Sequence, residues 1–429
     1  MIVRLSYVYR AVRLLLPLVC LLAAGPYCYG KSGRGDKAYE FSGSVSREVL
    51  ENYLARSITL AEFLTVDPFC NDGRYPDKER DVEFIAYTGA KFIGRAIYRW
   101  GREDVLNNPD FWRGAKELME RVHAADPDVI FQGAVFEAVY KAGVESVRIP
   151  EWAFRALGLP VEERNFSYEA MLNERGIHVD LWKKGASVPD ITRTETQLWF
   201  MFLIGSYVDL GVEAIHLGQV YLMAMNDHKL AAWSDFMAKV RRYVNPRARR
   251  GYVLFDAHTP GGGMVVNGVS MLDFNSFPLR IKEVEESPMR GVLEVGYSDS
   301  MYGRSKACVT PSGWSCEALP YLVEFDNFGV SKTPGRSTID KHFIWGYDEI
   351  TWFFLLPPDD RREWLDYAWH WLADHDPNAF LEMPGARVVT PADDRRPANG
   401  TFRAIAPTDS TPQGADLGKT IRRLWKGRR

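Results

Sequence analysis

Short apolar runs that alternate with helix-like segments along most of the chain are the feature that most constrains its fold. Each run is short enough to be a buried strand, and the segments between the runs carry apolar residues at helical spacing. Strands that alternate with helices indicate βαβ units and a parallel sheet. The predicted strands are Thr59–Leu64, Lys91–Tyr98, Val129–Glu137, Glu213–Val220, Tyr252–His258, Leu322–Gly329, Phe343–Glu349 and Ala379–Met383.

Eight strands favour an α/β fold of the closed (β/α)₈ barrel type, the TIM barrel, over an open sheet. The predicted helices are Lys78–Thr88, Pro109–Ala125, Arg193–Leu210, Ala231–Val244 and Asp359–Ala373. Only 13 residues separate Gly329 from Phe343, which is little room for a crossover helix. The assignment of either the sixth or the seventh strand is therefore open.

Two long stretches interrupt the alternation, and both leave from the C-terminal ends of predicted strands. Residues Ala138–Ile191 follow the third strand, and residues Thr259–Ser312 follow the fifth. Barrel active sites are built from the loops at this face. We therefore expect both insertions to form walls of a cleft there.

The N-terminal segment has the pattern of a secretory signal peptide. Arg4, Arg10 and Arg13 precede the apolar run Leu14–Gly25, which has 12 residues. A membrane-spanning helix needs about 20 apolar residues, so this run is short for a span and suits the apolar region of a signal. We expect Met1–Gly30 to be removed, leaving a secreted protein without a stable membrane span; the alternative is an uncleaved anchor.

The two ends of the remaining chain differ in composition from its body. Residues 31–44 are rich in Gly and Ser and are typical of a linker, while residues 388–429 are rich in Pro, Asp, Arg and Thr and end in basic residues. Such composition buries little apolar surface, so we expect the tail to be disordered. The barrel domain is accordingly predicted over residues 45–387.

Three cysteines remain after the predicted signal is removed. Cys308 and Cys316 flank a turn-rich stretch and could close a small loop in an oxidising compartment, which would leave Cys70 unpaired. The alternative is that all three are buried thiols.

Polar side chains gather late in the predicted strands, as expected for a catalytic mouth above a packed core. Glu137 is the sharpest candidate, since it ends an otherwise uncharged strand and shares a face with the small Gly133. Glycoside hydrolysis needs two carboxyl groups, one neutral to protonate the leaving oxygen and one ionised as nucleophile or base. We expect Glu137 to be the general acid, with Asp326 or Glu324 as its partner.

Further polar and aromatic residues near the strand ends are suited to binding sugar hydroxyls and ring faces. The predicted substrate-binding residues are Arg95, Tyr98, His216, Gln219, Asp256, His258, Asn327, Trp345, Asp348 and Glu349. The chain has 53 basic and 56 acidic side chains, so no excess of positive charge indicates a nucleic-acid partner. The predicted partner is therefore a carbohydrate, and no cofactor is expected.

A metal site is the main chemical alternative. His216, Asp256, His258 and Asp326 form a nitrogen and oxygen ligand set on neighbouring predicted strands. The chain has neither a His-Glu-x-x-His motif nor a His-x-His in the first strand. Polar side chains in a cleft explain the same residues, so no metal is predicted.

Three stretches give the chain a resemblance to a group of secreted, glycoside-hydrolase-like barrel proteins. They are Phe92–Gly101, Glu195–Gly205 and Trp345–Phe353. The resemblance implies a (β/α)₈ fold and a carbohydrate substrate, and it assigns no catalytic pair. The sequence thus predicts a secreted glycosidase acting on a poly- or oligosaccharide. A carbohydrate-binding barrel without catalysis is the first alternative, and a metal-dependent hydrolase is the second.

Overall fold

The computed structural model describes residues 38–70, 75–259, 261–297, 304–339, 342–397 and 400–427. The predicted signal peptide and residues 31–37 of the predicted linker lie outside these ranges. Residues 38–44 pack against the barrel, since the rings of Tyr39 and Phe41 contact Tyr53 at centroid distances of 5.1 and 5.9 Å. The described part of the linker is therefore fixed by aromatic contacts.

Parallel strands form a closed ring, as the alternating pattern predicts. The first seven strands are β1 (Ser57–Leu60), β2 (Phe92–Tyr98), β3 (Ile130–Ala134), β4 (Ala214–Gln219), β5 (Leu254–His258), β6 (Asn275–Pro278) and β7 (Tyr321–Glu324). The eighth strand, β8, has two halves, Ala379–Leu381 and Met383–Val388, on either side of Glu382. Its first half pairs with β7 and its second half pairs with β1, both in parallel, which closes the ring. The fold is therefore a TIM-type barrel.

Five of the eight main helices lie close to their predicted positions. The eight are Arg47–Leu54, Lys78–Thr88, Pro109–Ala125, Thr194–Leu210, Ala231–Val244, Glu349–Leu355, Pro358–His375 and Gly418–Lys426. Arg47–Leu54, Glu349–Leu355 and Gly418–Lys426 were not predicted. Shorter helices are Glu103–Asn107, Lys141–Val144, Glu151–Leu157, Tyr168–Met171, Val220–Met223 and Asn245–Arg247. Asn108 caps the third long helix by accepting a hydrogen bond from the backbone N–H of Asp110. This cap explains why that helix begins at Pro109.

The predicted strand Leu322–Gly329 is confirmed over its first part, and the predicted strand Phe343–Glu349 was wrong. The run beginning at Leu322 belongs to β7, whereas residues 343–349 form a turn and the start of a helix. Trp345 and Gly346 have φ angles of 52° and 77°, which break an extended strand, and Asp348 caps the helix that begins at Glu349. The sixth strand is instead Asn275–Pro278, whose polar and Pro residues give no apolar run.

The insertion after β3 lies where it was predicted, and the stretch after β5 is divided by β6. Residues after β3 include the paired strands Val139–Tyr140 and Ala186–Ser187. Residues that precede β6 and residues that follow it in the chain together form a small four-stranded sheet. Its strands are Val265–Val266, Val269–Ser270, Cys308–Val309 and Ser315–Cys316. A further hairpin pairs Lys282–Glu283 with Gly291–Val292.

The barrel interior has an apolar layer below a polar one. The apolar layer packs against helix Arg47–Leu54, which closes the N-terminal end of the barrel. Side chains two residues apart in a strand point to the same face. A strand that contributes an apolar side chain to the lower layer therefore contributes the residue two positions later to the upper layer. The pairs, with the apolar lower residue first and the upper residue second, are Phe92 and Gly94, Ile130 and Gln132, Ala214 and His216, Leu254 and Asp256, Phe274 and Ser276, Leu322 and Glu324, and Phe380 and Glu382.

The segment after Val388 is folded, so the expectation of a disordered tail was wrong. Strand Thr401–Arg403 pairs antiparallel with the second half of β8. Helix Gly418–Lys426 buries Ile421, Leu424 and Trp425 against the helices Lys78–Thr88 and Pro358–His375. Lys419, Arg423 and Lys426 lie on the exposed face of this amphipathic helix, a pattern that overall composition does not reveal.

Among the residues that the structure describes, no helix combines the length and the apolar character needed to cross a membrane.

Candidate active site

The polar layer of the barrel begins with a hydrogen-bonded group on β3 to β6. The Asp256 carboxylate accepts hydrogen bonds from Gln132 Nε2 at 2.7 Å and Ser276 Oγ at 2.7 Å, and it contacts His216 Nδ1 at 2.7 Å. Burial raises the pKa of Asp256 to about 7. Burial, and then the charge of Arg95, keeps the pKa of His216 well below its usual range. His216 is therefore a neutral imidazole at physiological pH.

A second group surrounds Glu324 at the end of β7. Its carboxylate accepts hydrogen bonds from Arg95 Nε at 2.9 Å and from Arg387 Nη1 at 2.5 Å, and it contacts His258 Nε2 at 2.9 Å. Although burial opposes its ionisation, the charges of Arg387 and Arg95 hold the pKa of Glu324 well below its usual range. Glu324 is therefore an ionised carboxylate held by cationic partners.

Arg95 reaches Glu324 because β2 is irregular at this point. Arg95 has a φ of 54°, and the register with β3 shifts between Ile93 and Ile97. The backbone N–H of Arg95 donates to Gln132 Oε1 at 2.9 Å. A bulge of this kind turns a side chain inward that would otherwise alternate outward.

Glu382 lies between the two halves of β8 and faces β2. A side chain at Gly94 would collide with it, since a Cβ there would lie 1.8 Å from Glu382 Oε1. Burial, and then the nearby charge of Glu324, raises the pKa of Glu382 to about 8. Glu382 therefore carries a proton at neutral pH while Glu324 is ionised.

Glu137 lies just beyond the C-terminal end of β3, at the rim of the barrel. Its Oε2 accepts a hydrogen bond from the backbone N–H of Gln219, and its Oε1 accepts one from Gln219 Nε2, both at 2.9 Å. Trp182 Nε1 donates to the Glu137 carbonyl oxygen at 3.0 Å. The carboxyl group of Glu137 is therefore held in one position by the end of β4.

Asp326 lies two residues beyond β7. Its Oδ2 pairs with Arg280 Nη1 at 3.0 Å, and Oδ1 accepts the backbone N–H of Asn327 at 2.8 Å. Asn327 Oδ1 accepts a hydrogen bond from Arg387 Nη2 at 3.0 Å. Since β3 and β7 are four strands apart in the ring of eight, Glu137 and Asp326 stand on opposite sides of the barrel mouth.

Aromatic rings form a wall beside Glu137. The centroid of Phe136 lies 5.4 Å from that of Tyr98 and 5.2 Å from that of Trp100. Trp182, on the insertion after β3, is 37% exposed. Tyr98 is buried, whereas Trp100, Phe136 and Trp182 expose part of their surface. We call Trp100, Phe136 and Trp182 the aromatic wall; flat apolar faces of this kind suit sugar rings.

Three predicted substrate-binding residues, Trp345, Asp348 and Glu349, are engaged in contacts within the protein. Trp345 is buried, and its Nε1 donates to the carbonyl of Arg290 at 2.8 Å. Asp348 accepts a hydrogen bond from the backbone N–H of Thr351 at 2.7 Å as a helix cap. Burial raises the pKa of both Asp348 and Glu349 to about 7.

The Glu349 carboxyl group is hydrogen-bonded to the loops that follow β6 and β7. It accepts backbone N–H groups of Leu279, Ile281 and Asp326 at 3.2, 3.1 and 2.9 Å. The hydrogen bond from the Asp326 backbone N–H to Glu349 fixes the position of Asp326, so Glu349 stabilises the loop that carries this candidate residue.

The residues of the metal alternative are not arranged as one ligand set, although the rings of His216 and His258 lie 4.8 Å apart. His216 is paired with Asp256, His258 contacts Glu324, and Asp326 pairs with Arg280. Within the described residues, no group of three His, Cys, Asp or Glu side chains is arranged to hold a metal ion.

Several residues of the site were not selected from the sequence. They are Gln132, Ser276, Arg280 and Arg387. Ser276 and Arg280 were missed because β6 was not predicted, and Arg387 because the predicted eighth strand ended at Met383. For Gln132, the period of two from apolar Ile130 was a usable signal.

No protein-family model and no curated protein matches this chain. Among solved structures, it is similar to the debranching enzyme from Nostoc punctiforme, with 11% identity, a TM-score of 0.42, and coverage of 90% of this chain and 81% of that chain. A second structure of that enzyme matches at 9% identity and TM-score 0.31, over 55% of this chain and 53% of that chain.

An α-galactosidase from Thermus thermophilus is similar at 15% identity and TM-score 0.30, over 54% of this chain and 45% of that chain. This chain thus spans about half the length of the latter two structures. Both of these proteins are glycoside hydrolases, and at these identities and TM-scores the likeness assigns neither an activity nor a residue to this chain.

Proposed function

We propose that this protein is a glycosidase that hydrolyses an oligo- or polysaccharide at the C-terminal mouth of its barrel. The observation that carries the proposal is the aromatic wall beside the fixed carboxyl group of Glu137, with the Arg-paired Asp326 across the mouth. A sugar chain bound along the wall would place a glycosidic bond between two carboxyl groups. Glycoside hydrolysis requires that arrangement.

Glu137 is the proposed general acid, and Gln219 suits this role. A side-chain amide carries both a donor and an acceptor, so it can serve a carboxylate through its NH₂ group and a protonated carboxyl group through its oxygen. Gln219 donates to Glu137 in the structure. Rotation of the amide would let a protonated Glu137 donate instead, and the carboxyl group could then gain and lose its proton in place.

Asp326 is the proposed nucleophile or base, in preference to Glu324. Both oxygens of Glu324 are held by Arg95, and Arg387 and His258 add further contacts, so Glu324 is committed to positioning these three side chains. Asp326 is more accessible and has one arginine partner, Arg280. The ion pair with Arg280 holds the Asp326 carboxylate in place.

A carbohydrate-binding barrel without turnover is the second candidate function. The observation that favours it is that the polar groups of the mouth already pair with one another, as Glu324 does with Arg95 and Asp326 does with Arg280. A binding protein needs the aromatic wall and does not need a free acid and base.

The test is incubation of the purified protein with polysaccharides of different linkage, followed by detection of released sugars. We expect Glu137→Gln to lower turnover about 10²–10⁴-fold, the usual contribution of one general acid. The matched control is Glu120→Gln, on an exposed face of helix Pro109–Ala125. Full turnover in Glu137→Gln would contradict the proposed role, and binding without turnover in the wild type would favour the second candidate.

Secretion is a separate proposal and rests on the sequence pattern of Met1–Gly30 alone. Its supports are the basic start, the apolar run Leu14–Gly25 and the small residue Gly30 before the expected cleavage point. A carbohydrate polymer outside the cell would then be the substrate.

A further inference from the structure

Cys308 and Cys316 face each other across a two-stranded hairpin. They are directly opposite partners in the antiparallel pairing of Cys308–Val309 with Ser315–Cys316. Their Sγ atoms are 3.8 Å apart. Opposite residues in such a pair have Cα atoms about 4.5–5.5 Å apart, which lies inside the range spanned by disulfides. Rotation of the side chains would therefore bring the sulfur atoms to bonding distance without moving the backbone.

We infer that this cysteine pair is a disulfide-forming site whose co-reactant is a small-molecule disulfide such as oxidised glutathione. The thiolate of one cysteine attacks the small disulfide, forming a protein–glutathione mixed disulfide and releasing one glutathione thiolate. The second cysteine then attacks the mixed disulfide and releases the second glutathione. The protein loses two protons and two electrons, which together are two hydrogen atoms, and one glutathione disulfide becomes two glutathione thiols.

The surroundings of the two thiols indicate which of them reacts first. Cys308 is buried, whereas Cys316 is partly exposed. Burial, and then the neighbouring Cys316, raises the pKa of Cys308 to about 12. The pKa of Cys316 is also raised by burial, although the charge of Arg47 acts in the opposite direction. Cys316 is therefore the attacking thiol and Cys308 the resolving one, in a reaction that is slow at neutral pH.

The hairpin has a structural role that a disulfide would reinforce. Trp314 Nε1 donates to the carbonyl of Val45 at 3.1 Å, and the backbone N–H of Val45 donates to Ser312 Oγ at 3.0 Å. Val45 belongs to the apolar cluster that closes the N-terminal end of the barrel. A bond between Cys308 and Cys316 would tie together the two strands that hold this contact.

The test treats the folded, reduced protein with oxidised glutathione and maps its cysteine peptides by mass spectrometry. We expect a product lighter by two hydrogen atoms, with Cys308 linked to Cys316 and restored to thiols by dithiothreitol. Cys70 serves as the control, because it is buried and its Sγ contacts the carbonyl of Thr65 at 3.3 Å. Cys70→Ser should leave the reaction unchanged.

Two variants test the order of attack. Cys308→Ser should stop at a mixed disulfide between glutathione and Cys316, whereas Cys316→Ser should form the corresponding adduct at Cys308 much more slowly. The inference is overturned if both cysteines of the wild type remain free to react with iodoacetamide after unfolding of the fully treated sample. It is equally overturned if the mapped bridge joins a different pair.

Discussion

Replacing Glu382 by Gln should remove a large part of the pH dependence of stability. In the folded protein, burial and then the charge of Glu324 raise the pKa of Glu382 from its ordinary value of 4.5 to about 8. In the unfolded chain Glu382 returns to that ordinary value. The folded state therefore keeps a proton that the unfolded state loses as the pH rises, so the free energy of unfolding falls between these two pKa values.

The size of this effect follows from the two pKa values. Between about pH 5 and about pH 8, one carboxyl group with this shift lowers the free energy of unfolding by about 3.5 kcal/mol. The carboxyl groups of Asp256, Asp348 and Glu349, with pKa values raised to about 7, add to the same trend. Asp348 and Glu349 are present in both proteins and are not among the groups that shift the pKa of Glu382, so their contribution cancels in the comparison.

The assay is urea unfolding of wild type and Glu382→Gln, each at about pH 5 and about pH 8, with the free energy of unfolding extrapolated to water. Gln keeps the shape of the side chain and cannot ionise. We expect the loss of stability from the lower to the higher pH to be smaller in the variant by about 3.5 kcal/mol. The matched control is Glu120→Gln, whose side chain is 65% exposed and should behave as the wild type.

The reasoning would be refuted by an equal loss of stability in wild type and Glu382→Gln over that pH range. Such a result would mean that Glu382 ionises in the folded state as it does in water. A change in the slope with urea would point instead to a different unfolded state, and the comparison of midpoints alone would then not count as support.

Three further outcomes are expected. Gly94→Ala should destabilise the protein by about 1–3 kcal/mol or more, because the new Cβ overlaps Glu382. The control is Gly261→Ala, whose new Cβ has no atom within 4 Å. Equal losses of stability in the two variants would contradict the close approach of Gly94 to Glu382. Leu424→Ala should cost about 2–5 kcal/mol in urea unfolding, since the side chain is buried under the tail helix; no effect would mean that the tail does not pack. N-terminal sequencing of the secreted protein should begin near Lys31, and a membrane-bound product beginning at Met1 would contradict export.

The barrel could be predicted from the sequence where strand and helix patterns are strong and local. Helix Pro109–Ala125 has an amphipathic pattern with Asn108 as its cap, and both signals lie in adjacent residues. Strand β6 is short and contains no apolar run, and it is stabilised by pairing with β7 over Asn275–Pro278. Such pairing joins residues far apart in the chain, so local pattern does not reveal it.

The candidate site was predictable as a set of residues and not as a set of contacts. Glu324 and Arg95 were both selected from their positions late in strands, yet 229 residues separate them and only ring closure brings them together. The inward turn of Arg95 depends on a positive φ, which nothing in its neighbourhood indicates. The division between the ionised Glu324 and the protonated Glu382 likewise depends on which strands become neighbours.

The two layers of the barrel explain how one small core can hold so many polar groups. Isolated buried charges are strongly unfavourable, and even paired ones gain little because each loses its hydration. The polar layer therefore needs a source of stability elsewhere, and the apolar layer beneath it, sealed by helix Arg47–Leu54, supplies contacts of that kind. The chain thus concentrates apolar burial at the N-terminal end of the barrel, so that the end where the loops meet can hold Arg95, Glu324 and Glu382 close to the mouth.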